Sequence, residues 1–311
     1  MIVTMTWPKR AVQFTGDEIM SLPSRRMALP LLLACGMTVS FAGLPARAQV
    51  QTASQASSMD APGPRGITYA DVASLADSAP IVVRARLRKL ARVEDVRARP
   101  AAAGSARFYV MADTRALITG GSPIGESIAY LVDLPVDAKG RPLARKKDEV
   151  ILFARTVPGR AGELQLVRPN AQIGWSEAAE ARVRAIVTEL VSPQAPAKVT
   201  GVREIIYVPG TLAGEGETQI FLNTADASAA SITVRHQPGQ PAQWGASFSE
   251  LVAQVGHPPA HDTVEWYRLA CFLPGNPPAG VNISESDDAR RMADADYRMV
   301  LQTLGSCTRT L

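Results

Sequence analysis

The sequence predicts an α+β protein: a small five-stranded β-barrel with flanking helices, followed by a β-meander plus helices. Three features lead to this class. Runs of period-2 alternation recur between turn-rich segments in the first half, and a second, shorter set follows a proline-rich break at residues 192–198. Amphipathic helical stripes with polar caps accompany both sets.

The first element is a short helix over residues 69–76, stopped ahead of Pro80. The stretch IVVRARLR then places Ile81, Val83, Ala85 and Leu87 on one side and Arg84, Arg86 and Arg88 on the other, as in a half-buried strand. In ARFYVMADTRALI, residues Phe108, Val110, Ala112, Ala116 and Ile118 share a face, and Gly120 opens the turn GGSP. Strands three to five are SIAYLVDL from Ser127, EVILFART from Glu149 and ELQLV from Glu163, separated by DAKGRP and PGRAG. A helix capped by Ser176 aligns Val183, Ile186, Val187 and Leu190 before Pro193 stops it. The first strand is long enough to bend across two sheets, and closing the five strands removes exposed sheet edges, so a barrel is expected.

The succession of an apolar strand after ADSAP, a second long strand, SIAYLVDL, KDEVILFA and GELQLV resembles the netrin/TIMP-type OB-fold domains of exported proteins, over residues 71–190. The resemblance implies an OB-like barrel and, by fold analogy, a face able to hold an extended ligand. The cysteine framework common in that family is absent, and no site residue carries over. The chain as a whole resembles exported proteins of Gram-negative bacteria.

The second half opens with a meander: REIIYV from Arg203, TQIFLN from Thr218 and ASITVRH from Ala230. The loop holding Gly210, Gly214 and Gly216 lacks the Lys-Ser/Thr pair and following helix of a phosphate cradle, so it reads as a hairpin loop. SFSE is expected to be a capping box, with Ser247 as cap and Glu250 as partner, leading a helix with Phe248, Leu251, Val252 and Val255 on one face and Gly256 at its end. Asp262 and Glu265 form another such box, capping a helix over 263–273 with Pro274 beyond it; a strand is the alternative for VEWYRLACF. Glu285, Asp287 and Asp288 begin a final helix that reaches Leu304 and ends at Gly305, with Asp294 and Asp296 on its solvated face.

The N-terminal stretch SRRMALPLLLACGMTVSFAGLPARAQ has the grammar of a secretory signal peptide, with cleavage expected after Ala48 and translation expected from Met20. Its apolar run is interrupted by Pro30, Gly36 and Gly43 and ends at a cleavage site, so it reads as removed and not as an anchor. The organisation is then 1–48 signal peptide, 49–66 flexible tether, 67–191 barrel, 192–200 linker and 201–311 the α+β part. Removing the leader takes five of 33 basic and two of 29 acidic residues, leaving 28 against 27, a net charge of +1. That balance gives no case for a nucleic-acid or anionic membrane partner. Cys35 leaves with the leader, and Cys271 and Cys307 remain as an even pair, expected to be disulfide-bonded in an oxidising compartment.

Candidate chemistry centres on HPPAHD. His257 and His261 have the i,i+4 spacing of a zinc site, but Pro258 and Pro259 between them bar a regular helix. His257, His261 and Asp262, with His236, form the alternative of a hydrolase or metalloenzyme. GASFS lacks the final glycine of a nucleophile elbow. Trp244 or Trp175 would serve a sugar-stacking surface if exposed, and Asn282-Ile283-Ser284 is a sequon without weight in a bacterial chain. The reading that follows is an exported, periplasmic or secreted binding module for an unknown protein or extended ligand. No catalytic residue, cofactor or metal is assigned to it.

Overall fold

The computed structural model describes residues 66–94, 101–121, 123–250 and 255–311. The leader, its cleavage site, most of the tether and residues 251–254 of the helix expected after Ser247 lie outside them.

The first helix, α1 (Tyr69–Ser78), is longer than expected at its C-terminal end. A capping box starts it: Thr68 accepts from the Asp71 N–H, and the Asp71 carboxylate accepts from Thr68. Five strands follow, β1 (Ile81–Arg92), β2 (Ser105–Thr119), β3 (Ser127–Pro135), β4 (Glu149–Thr156) and β5 (Glu163–Leu166). They pair in the order β1-β2-β3-β5-β4, and β4 pairs back to β1, which closes the barrel. The expected OB-like barrel is therefore present. Its first strand pairs with β4 through Ile81–Arg86 and with β2 from Val82 to Arg92, and three register shifts along β1 accommodate the bend.

Alternation assigns the faces. Phe108, Val110 and Ala112 of β2 and Ile128, Tyr130 and Val132 of β3 fill the barrel, while Tyr109 and Leu131 point outward and remain exposed. Strand β4 breaks the alternation, because Val150 to Ala154 are all buried. Helix α1 packs on its outer side, so both faces are covered. Each large side chain of this run contributes about 2 kcal/mol through burial.

The fifth strand is broken. After Leu166 the backbone leaves the ladder and returns as β6 (Gln172–Gly174), which also pairs with β4. Val167 N–H and Ala171 C=O both bond Phe153, so the excursion is pinned at its two ends. Helix α2 (Glu177–Leu190), capped by Ser176, buries Val183, Ile186 and Val187 as expected.

The meander has four strands, not three: β7 (Val199–Pro209), β8 (Gly216–Thr224), β9 (Ser231–His236) and β10 (Gln243–Ser247), all antiparallel. Ser247, expected as a helix cap, is instead the last residue of β10 and pairs with Ser231. The buried residues Trp244 and Gly245 give this short strand its packed side, which outweighs the local cap signal.

Helix α3 (Val264–Ala270) is shorter than expected, and its cap is Thr263, which accepts from the Trp266 N–H. Asp262 has φ +60°, outside the extended region an N-cap residue occupies, so it cannot cap. The last helix, α4 (Asp287–Leu304), starts at the cap Ser286, ends at Gly305 with φ +71° and packs on β7 and β8. The Cys271 and Cys307 sulfurs are bonded, joining the end of α3 to the segment after α4. Buried apolar side chains run continuously through barrel, helices and meander. No described helix is long and apolar enough to cross a membrane.

Candidate functional site

The outward rows of β2, β3, β5 and the end of β4 form one wall of the barrel. Tyr109 lies opposite Leu131 across the β2–β3 ladder, and Arg107 lies opposite Asp133. Glu163 pairs beside Ala129, and Gln165 pairs beside Arg155. Parallel pairing between β3 and β5 covers only two residue pairs, so the strands diverge beyond Tyr130. They meet again where the Asp133 N–H donates to the Pro169 C=O over 2.7 Å. The divergence leaves an open groove of about 570 Å3, flanked by the β4–β5 turn and by the excursion at Arg168. That volume lies within the range of ligand clefts.

Four guanidinium groups line the groove. Arg107 holds Asp133 through two hydrogen bonds of 2.7 and 2.9 Å, and Arg160 pairs with Glu163 at 3.2 Å. Arg155 and Arg168 are exposed and have no partner among the described residues. On the groove's apolar side, Tyr109 is 39% and Leu131 48% exposed. Such a surface offers two cations beside a small apolar patch, and both of its carboxylates are held by arginines. Alternation makes Tyr109 and Leu131 point outward, and that is readable in the sequence. Their meeting with Arg168 depends on the break in the fifth strand, which is not.

The histidines are not gathered into one cleft. His236, at the end of β9, places Nε2 2.9 Å from both carboxylate oxygens of Asp296 and stands edge-on to Tyr207. Asp296 was expected on the solvated face of α4, yet it is only 3% exposed and also accepts from the buried Thr218 hydroxyl. Its i+4 partner Val300 is fully buried, so Asp296 lies on the packed side of the helix, and the polar cluster satisfies it there. Sequence offered no signal for this, because the partners come from three separate elements.

His261 stands tilted over Trp266, with ring centroids 4.1 Å apart and planes at 41°, and its Nδ1 is 3.1 Å from Asp262. His257 is exposed. Among the described residues, no three His, Cys, Asp or Glu side chains come together as a metal-binding group. The hydrolase or metalloenzyme alternative thus retains contact between His261 and Asp262 alone of its expected set.

Of the two tryptophans named for sugar stacking, one is buried and the other has a face covered by an arginine. Trp244 is 4% exposed. Trp175 has the Arg84 guanidinium 3.8 Å above its ring and donates Nε1–H to Glu180. That hydrogen bond and those from Arg184 hold the Glu180 carboxyl below its usual range. At the junction of α1, α2 and α3, burial and the neighbouring charge of Glu189 push Glu265 upward. The Tyr69 hydroxyl is buried there without a hydrogen-bond partner among the described residues.

No protein-family model and no curated protein matches the chain.

Proposed function

We propose that this protein is an exported, non-enzymatic binding module that works in the bacterial periplasm or outside the cell and holds an extended ligand in the groove of its barrel wall. One observation carries the reading: Arg155 and Arg168 stand unpaired among the described residues, in the same groove as the exposed Tyr109–Leu131 pair. Free cations next to an apolar strip are a means of binding and orienting a ligand, and here they surround no reacting group. Export is supported by the leader grammar of residues 24–49 and agrees with the disulfide between Cys271 and Cys307.

The test is a photo-crosslinking residue placed at Leu131 in the living cell, with a control at Val191, which is 69% exposed on a different element. Discrete crosslinked products are expected from Leu131 and not from Val191. Equal or absent crosslinking at the two positions would remove the groove from the function. N-terminal sequencing of the mature protein is expected to begin at Gln49.

A further inference from the structure

Resting on that groove reading, we infer that the occupant is an extended peptide segment of a partner protein that carries carboxylates and at least one apolar side chain. The four groove arginines less the carboxylates of Asp133 and Glu163 leave a charge of +2 on the wall, and this surplus resides on Arg155 and Arg168. A guanidinium group without a partner is a ready donor to a carboxylate, with two parallel N–H groups matching its two oxygens. The ligand class is therefore anionic.

It is not a uniform polyanion. Asp133 and Glu163 neutralise Arg107 and Arg160, so two cations remain for a ligand, too few to match a chain charged at every unit, such as an acidic polysaccharide or a nucleic acid strand. The Tyr109–Leu131 pair adds exposed apolar surface that only a ligand with apolar groups can cover. A polypeptide supplies both kinds of group on one backbone. In extended form its side chains alternate, so carboxylates can face the arginines while an apolar residue covers Leu131.

The experiment is a fluorescence-anisotropy titration of the purified protein with labelled decapeptides of alternating Glu and Leu. The Gln-Leu counterpart and an oligogalacturonate of similar length are the competing probes. The Glu-Leu peptide is expected to bind, more weakly as salt rises. Arg155→Glu combined with Arg168→Glu is expected to cost about tenfold in affinity, with the thermal melt unchanged because both side chains are exposed. Equal affinity for the Gln-Leu peptide would overturn the anionic class, and preference for the oligogalacturonate would overturn the peptide class. Failure of every probe would overturn the inference. The groove reading would still be judged separately, by crosslinking at Leu131.

Discussion

Asp71 shows how one residue can determine a local structure. Its carboxylate is 2% exposed and accepts from Thr68 and from the Thr310 and Leu311 backbone. Burial opposes its charge, but the hydrogen bonds from Thr310, Thr68 and Leu311 prevail and hold the group below its usual range. A depressed acid stabilises the fold above its unfolded value of about 3.9, and this stabilisation is lost as pH falls through the folded value. Asp71→Asn is expected to cost about 2 kcal/mol at neutral pH and to weaken the acid dependence of the melting temperature below about pH 5. Glu265 has the opposite sign: its raised value means that stability falls as pH rises through the folded value. Glu265→Gln is expected to raise the melting temperature at pH 7 and leave it unchanged at pH 3, as measured by circular dichroism. The capping role of Asp71 is visible in the sequence as Thr68-x-x-Asp71. Its hold on Thr310, 239 residues away, is not, because nothing local records it.

The elements were legible where a strong period coincided with burial on one side. Strands β1 to β3 follow from alternation and helix α2 from stripe and cap, whereas β4, covered on both faces, shows as a continuous apolar run. Short elements were not legible: β10 has five residues and β6 three, too few to show a period, and both depend on neighbours for their pairing. Helix α3 shows the same limit, since two adjacent residues, Asp262 and Thr263, could each cap it and only backbone geometry decides between them. Within α3, Arg268 is 5% exposed, holds Asp77 of α1 through hydrogen bonds of 2.8 and 2.7 Å and donates to the Pro196 C=O. Arg268→Ala is expected to cost about 3 kcal/mol in denaturant unfolding, because it removes both short bonds to the Asp77 carboxylate and leaves it the 3.5 Å contact with Lys198. Arg268→Met combined with Asp77→Leu should cost less than Arg268→Ala alone.

At the scale of the molecule, the Arg268–Asp77 pair binds α3 to α1, which packs on the barrel, and the disulfide ties the end of α3 to the segment after α4. Replacing Cys271 and Cys307 together by Ser is expected to lower stability by about 4 kcal/mol through the freer unfolded chain. Reductant should lower the melting temperature of the natural protein and leave that of the double variant unchanged. Alkylation of both thiols in unreduced protein would contradict the bond. The sequence indicated the pair by parity alone, whereas the charged tie needed the fold. The excursion between β5 and β6 is held by backbone bonds at Val167, Pro169 and Ala171 and by the packing of Val167 and Ala171 against the core, and the side chains between them, Arg168 and Asn170, make no bond among the described residues. Its side chains at Arg168 and Asn170 are therefore open to exchange without cost to the barrel. One scaffold could in this way be retuned to different partners by rewriting a few letters, much as a lock is rekeyed without replacing the door.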